Sequence, residues 1–292
     1  MTIAEYIELA ASRLSNSGLC FGHGTARAID EAFFLILGAL NLDLDDEFVD
    51  LQRPLHKPEQ VKLDALLLRR IEQRIPVAYL LGFTQFAGHR FYTDERALIP
   101  RSPIAELIVQ QFEPLLNSTP EKVLDLCAGG GCLGIASALE IAAASVDLVD
   151  ISAPALDLAR KNVAAFELEH RVNLIQSDLF ENVGDRYDLI ICNPPYVSAS
   201  ELADLPAEYR HEPELGLYSD ENGLALPIQV LHQSADYLLE RGLLILEVGY
   251  SWEALAARFQ HIPFLWLEFN CGGEGVLVMN KQQLLQYRGS FI

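Results

Sequence analysis

The sequence predicts an α/β protein: a doubly wound sheet of seven strands that ends in an antiparallel hairpin, preceded by a small helical domain. Three observations predict it. From Lys122 onward, short apolar runs alternate with helical stretches, the rhythm of βαβ units and hence of a parallel sheet. The last two apolar runs, Phe264 to Asn270 and Gly275 to Asn280, are separated only by Cys271-Gly-Gly-Glu274. A crossover needs about a dozen residues, so these two strands must pair antiparallel. Before the first strand, apolar residues recur instead at spacings of three and four. The 292 residues, half of them hydrophobic and 21% charged, suffice for about two domains with a real core.

Taken in order, Ile3 to Leu14, Thr25 to Leu40 and Pro58 to Arg74 carry the helical spacing, and they make up an expected domain over residues 1–81. Pro58 suits a first helical turn, while Gly38 and Pro76 fit near helix ends. No residue type there suggests chemistry, so this part reads as a substrate-recognition domain. From Gly82 to Pro100, aromatics alternate with small or polar residues around Ala87-Gly88, which predicts a β-hairpin in a connector over residues 82–103. Pro100 and Pro103 bracket the entry to a helix over Ile104 to Phe112, which opens a catalytic domain over residues 104–292. Strands follow at Lys122–Cys127, Ser145–Asp150, Val172–Asp178, Tyr187–Asn193 and Gly242–Gly249, with helices such as Cys132 to Ile141 and Ala153 to Phe166 between them.

Charge excludes more than it assigns. Lysine plus arginine number 21 against 41 aspartates and glutamates, a net of −20. Nucleic-acid binders show the opposite balance, because Lys and Arg make their phosphate contacts, so direct nucleic-acid recognition is not expected. The acidity lies mainly in the second part, with a net of −4 over residues 1–81 and −16 over residues 82–292. An acidic surface draws basic partners. The longest clean apolar run, Ala32 to Leu40, is far short of the roughly 20 residues of a membrane span. Five scattered cysteines form neither a disulfide framework nor a zinc cluster. With acids rather than Lys or Arg in the first ten residues, the expectation is a reducing, cytoplasmic compartment.

In a sheet of this kind the ligand lies beyond the carboxyl ends of the strands. The first such end carries Asp125-Leu-Cys127-Ala128-Gly129-Gly130-Gly131-Cys-Leu-Gly134. Glycine lets backbone turn tightly and approach a ligand closely, and Gly129, Gly131 and Gly134 match a dinucleotide fingerprint that is weak by itself. Asp150 ends the second strand, where a carboxylate accepts hydrogen bonds from both ribose hydroxyls of a nucleoside. Asp178 ends the third, where it can accept from an adenine amino group. Three acids at successive strand ends suit a ligand with an adenosine and a positive charge, whereas a pyrophosphate favours fewer carboxylates.

The fourth strand ends in Asn193-Pro194-Pro195-Tyr196. Neither proline donates a backbone hydrogen bond, but each keeps its carbonyl. The Asn193 side-chain oxygen and the Pro194 carbonyl can together accept both hydrogens of one NH₂ group. An amide or exocyclic amine is a poor nucleophile because its lone pair is delocalised. Two fixed acceptors hold the NH₂ and favour lone-pair density toward an electrophile, and proximity supplies most of the rest.

The glycine loop, Asp150, Asp178 and Asn193-Pro-Pro-Tyr196 together resemble the class I S-adenosylmethionine-dependent methyltransferases that modify planar nitrogens. Their Rossmann-like sheet ends in the same antiparallel hairpin. With the helical domain in front, the chain is similar over nearly its whole length to the protein-glutamine N(5)-methyltransferases. That family has two bacterial branches, one acting on release factors and one on the third large-subunit ribosomal protein. The release-factor branch reads IPRPETE where Ile99 to Glu106 reads IPRSPIAE, and its loop begins with Gly where this chain has Cys127. Leu205 to Leu217 (LPAEYRHEPELGL) and the FLWLEFNCGGEGV near the end resemble the ribosomal-protein branch. Ala128 and Gly130 stand where the family has small hydroxyl residues.

The resemblance implies S-adenosylmethionine as methyl donor, no metal, and a basic ribosomal protein as partner. It places the donor across Cys127, Ala128, Gly129, Gly130 and Gly131, with ribose on Asp150, adenine near Asp178 and Leu179, and Asp125 supporting the loop. Asn193, which also borders the donor, and Pro194 would hold the target amide, with Pro195 and Tyr196 as the pocket wall. Residues 201–221 contain seven acids and one base, a fit for docking a basic protein. His211 is the nearest candidate base in sequence but reads as a surface histidine, and Glu212-Pro213 as a possible part of the pocket. The competing readings are the release-factor branch, an adenine-N6 methyltransferase of nucleic acid, a nicotinamide oxidoreductase and a non-catalytic ribosome-assembly module.

Overall fold

The computed structural model describes every residue except 45, 47 and 117. Four helices come first: α1 (Ile3–Ser15), α2 (Ala28–Leu40), α3 (Lys57–Gln73) and α4 (Val77–Leu81). Thr2 and Glu5 form a reciprocal capping box that starts α1, and Asn41, left-handed at φ 54°, ends α2. The apolar faces read from the sequence enclose a core of their own that includes Tyr6, Leu14, Leu35, Ile36, Leu63 and Leu67. Strands β1 (Phe83–Phe86) and β2 (His89–Tyr92) then form a separate antiparallel hairpin. Its two turn residues, Ala87 and Gly88, have φ of 48° and 77°, the left-handed pair a tight hairpin requires.

Helix α5 (Ile104–Val109) stops short of the expected Phe112. Gln111 and Phe112 turn left-handed, at φ 53° and 62°, and Phe112 is driven into the core. The main sheet then alternates strand and helix: β3 (Lys122–Leu126), α6 (Cys132–Glu140), β4 (Ser145–Asp150), α7 (Ala153–Ala165), β5 (Val172–Gln176) and β6 (Tyr187–Cys192). After α8 (Ala199–Asp204), the short turn α9 (Asp220–Gly223) and α10 (Ala225–Tyr237) come β7 (Leu238–Glu247), α11 (Trp252–Arg258), β8 (Leu265–Trp266), β9 (Val276–Asn280) and α12 (Lys281–Tyr287). The strand order is β5-β4-β3-β6-β7-β9-β8. The first five strands run parallel, and β9 is antiparallel to both β7 and β8.

This is the predicted Rossmann-like, seven-stranded mixed sheet with an antiparallel end. Strand residues alternate between two cores, because successive side chains point to opposite faces. Leu189, Ile191 and Ile245 face one core, while Ile190, Cys192 and Leu244 face the other. Helices α6 and α7 cover the first face, α10 and α12 the second. The penultimate strand is shorter than the seven residues expected. Leu267 N still donates to the Val276 carbonyl, and farther on the chain is held instead by Glu106, whose carboxylate accepts from the backbone N–H groups of Asn270 and Cys271 and from the Asn270 amide. The chain steps from β3 outward to β5 and then returns to the other side at β6. The connections that leave the carboxyl ends of the paired strands β3 and β6 therefore run to opposite sides, which is where such sheets open a crevice. Among the described residues no helix is long and apolar enough to cross a membrane.

Candidate active site

A cavity of about 500 Å³ opens at that crevice. It lies within the roughly 300–1,000 Å³ usual for small-ligand sites. The structure gathers there Cys127, Ala128, Gly129, Gly130, Asp150, Asp178, Leu179 and all of Asn193, Pro194, Pro195 and Tyr196. Two residues expected at the site, Asp125 and Gly131, stand behind it rather than in its lining.

The loop after β3 alternates hand, with φ of 62°, 53° and 80° at Cys127, Gly129 and Gly131. Gly131 has no alternative, since a Cβ there would lie 2.9 Å from Leu148 Cδ1 on a backbone that L side chains rarely adopt. Two carboxylates hold this loop. Asp150 accepts from Gly129 N at 2.7 Å and from Ser152 N at 2.8 Å. Burial pushes its carboxyl up, against the pull of those backbone N–H groups. Asp125 is fully buried and accepts from Gly134 N at 2.8 Å, which ties the strand to the first turn of α6. Its Oδ1 has no partner among the described residues, and burial, only partly offset by Gly134 N–H, pushes the carboxyl up to about 7. Asp178 is exposed at the cavity edge beside the buried Leu179.

The far wall is Asn193 to Tyr196. Among the described residues, neither the Asn193 side chain nor the Pro194 carbonyl is engaged by another protein group, so both acceptors stand free at the cavity. Tyr196, by contrast, is held on every side. Ser251 Oγ donates to its carbonyl at 2.9 Å, and its hydroxyl lies 3.4 Å from Glu247 Oε1. A Cβ on Gly249, itself at φ 46°, would lie 2.6 Å from the Tyr196 ring, so glycine allows the ring to lie flat on the backbone. Glu247 closes β7 and also accepts from Ser102 Oγ. Burial pushes its carboxyl up to about 7, against the two hydroxyls and Arg101.

Several of these residues were not singled out from the sequence. Glu247 ends an apolar run just as Asp150 does, a signal that was present in the text. Arg101, Ser102, Tyr209 and Tyr250 lie in irregular segments, where no periodicity points to a cavity. Glu212 is buried and bound in two places to Arg101, at 2.8 Å each, and it also accepts from Ile99 N at 3.0 Å. Burial opposes its ionisation, but hydrogen bonds from His23 and Arg101 and the Arg101 charge hold it at about 2. The His23 contact is long, 3.5 Å from Nε2 to Oε2, so Arg101 carries most of that effect.

The acidic stretch after Tyr196 is therefore not the docking surface expected of it as a whole. Glu208 is buried between Arg70 at 3.3 Å, Arg74 at 3.4 Å and Cys20 N at 3.0 Å. Glu201 closes a capping box with Ser198, and Glu221 pairs with Arg258. Burying a carboxylate demands a cation or several N–H donors, and the arginines of α3 and of the connector supply them. His211 likewise binds the Gln73 carbonyl at 2.8 Å, at the end of α3. Residues 206–217 thus strap the helical unit to the wall of the cavity.

Comparison with known proteins follows this geometry. Residues 104–207 match the model of the methyltransferase small domain, and residues 5–82 that of the PrmC N-terminal domain. A Francisella tularensis subsp. tularensis protein named ribosomal protein uL3 glutamine methyltransferase is 41% identical over 99% of this chain and 93% of its own length. A Neisseria gonorrhoeae protein of the same name is 41% identical over 97% of this chain and 96% of its own. The chain belongs to the ribosomal protein uL3 glutamine methyltransferase family.

Membership in the uL3 glutamine methyltransferase family agrees with the branch read from Cys127, from Ile99 to Glu106 and from Leu205 to Leu217. Among solved structures, the hMettl16 catalytic domain in complex with the MAT2A 3'UTR hairpin 6 superposes with a TM-score of 0.52. It covers 76% of this chain and 80% of that one at 18% identity, a likeness of fold alone.

Proposed function

We propose that the chain transfers a methyl group from S-adenosylmethionine to the side-chain amide nitrogen of a glutamine in ribosomal protein uL3, giving N(5)-methylglutamine. The observation that carries this reading is the pair of unclaimed acceptors, Asn193 Oδ1 and the Pro194 carbonyl, in one cavity with the glycine loop and Asp150. The names of the two curated relatives support the substrate.

The donor site fits its ligand. Asp150 is fixed by two backbone N–H groups, which leaves its carboxylate oriented to accept from ribose hydroxyls. Leu179 and Asp178 would hold the adenine end and the Cys127–Gly130 backbone the middle of the ligand, with Gly131 behind the loop. Asp125 acts from behind, through the loop it anchors. When bound, S-adenosylmethionine supplies an electrophilic methyl on a positively charged sulfur. Asn193 and Pro194 hold the two amide hydrogens, which fixes the amide plane and aims the face of the nitrogen that carries its lone pair at the methyl. Pro195 and the immobilised Tyr196 wall off water and fix the approach. His211 is occupied by the Gln73 carbonyl, so the surplus proton leaves to solvent. Residues 1–81 serve as the recognition domain, 82–103 as connector and 104–292 as the catalytic domain of a cytoplasmic enzyme.

The test offers uL3 and a release factor separately to the purified protein, with S-adenosylmethionine carrying a labelled methyl group. Peptide mass spectrometry then locates one added CH₂. Label on a glutamine of uL3 is expected; label on the release factor alone, or on neither, overturns the substrate. Asn193→Ala should abolish transfer while S-adenosylmethionine still binds by calorimetry; full activity in that variant would refute the acceptor pair.

A further inference from the structure

Beside the active-site cavity lies a second, open cavity of about 370 Å³. Its walls include Tyr196, Leu205 and Tyr250 together with the acidic side chains of Glu201 and Asp204, and among the described residues no lysine or arginine. Tyr196, Val197, Leu205 and Tyr250 border both cavities, so the two lie side by side. A polypeptide that places a side chain in the first has its neighbouring residues over the second.

The charge of this groove sets it apart from the rest of the segment. Glu208, Glu212 and Glu221 are each neutralised by an arginine. Glu201 is bonded only to Ser198, and Asp204 has neither ion pair nor hydrogen bond among the described residues. Tyr250, an aromatic, is 82% exposed at the same place. Carboxylates and tyrosine rings around an open groove are the surroundings in which a cationic side chain gains most, by charge and by contact with the ring faces.

We propose that this second cavity binds a lysine or arginine side chain of the substrate polypeptide flanking the target glutamine. The proposal rests on the glutamine reading above and adds a sequence requirement to it. The groove selects substrates with a cation next to the modified residue, while Asn193 and Pro194 select the amide.

The experiment uses the full-length protein with uL3, and with uL3 in which each lysine or arginine near the methylated glutamine is changed in turn to methionine or glutamate. Asp204→Lys and Tyr250→Ala are compared with wild type by kcat/KM, and by substrate affinity at low and high salt. Asp204→Lys should lower kcat/KM by about tenfold at low salt, mainly through KM, with the loss shrinking at high salt. S-adenosylmethionine affinity should not change, since Asp204 does not line the donor cavity. One uL3 variant should lose as much with wild type, and its glutamate form should be methylated better by Asp204→Lys than its native form is. Native kcat/KM in both enzyme variants, or equal methylation of every charge-altered uL3, overturns this proposal and leaves the glutamine reading intact. Absence of any methylated glutamine with wild type overturns both.

Discussion

Arg70→Met tests how the helical unit is joined to the cavity wall. Arg70 is fully buried, with Nε 2.7 Å from Glu31, Nη1 3.3 Å from Glu208 and Nη2 donating to the Cys20 carbonyl at 2.9 Å. Methionine keeps most of the stem's packing and removes the charge. Glu208 then retains Arg74 and the Cys20 N–H, whereas Glu31 is left with only the Thr25 hydroxyl at 3.3 Å. One uncompensated buried carboxylate costs about 3–5 kcal/mol. In a chain of this size that corresponds to a fall of about 10 °C in melting temperature. Arg74 is one-third exposed, so Arg74→Met should cost about 1 kcal/mol. Thermal melts followed by circular dichroism read both losses. Equal effects of the two arginines, or an Arg70→Met melt within about 2 °C of wild type, would refute the reasoning.

Three further outcomes are expected. Glu247 has an ordinary carboxyl value of 4.5 and a folded value of about 7, so the folded state holds the proton more tightly. Its contribution to stability is full below pH 4.5 and is lost as pH rises through 7, so Glu247→Gln should flatten the decline seen in urea titrations across that range. Cys127 sits left-handed at φ 62°, so Cys127→Gly should melt no lower than wild type, while the β-branched Cys127→Val should lose about 1–2 kcal/mol. Gly249→Ala drives a methyl against the Tyr196 ring and should cost about 1–3 kcal/mol while raising KM for the protein substrate more than for the methyl donor; an unchanged KM would separate Tyr196 from substrate binding.

What was legible in the sequence follows the range of the signal. Asp150 and Asn193 were found because each closes a short apolar run whose end a reader can locate without the fold. The Ala87-Gly88 turn and the antiparallel end were found from loop chemistry and loop length. Ser102 and Glu247 meet across 145 residues and Arg70 and Glu208 across 138, and no local pattern joins them. Seven acids in twenty-one residues looked like a surface because irregular segments carry no period that says which way a side chain points. The penultimate strand was overlong for a related reason. Its apolar alternation runs on past Trp266, but farther on Glu106, far away in sequence, holds the backbone instead.

The strap over residues 206–217 has a consequence for how such proteins can diversify. Glu208 answers Arg70 of α3 and Arg74 just after it, and Glu212 answers Arg101 near the end of the connector. Grafting a different leading domain onto this sheet would strand Glu208 in the interior without its two arginines. The leading helices and the stretch after Tyr196 are therefore free to change only in step. The open groove beside Tyr250, where the Asp204 side chain has no partner among the described residues, lies outside that constraint and can change on its own.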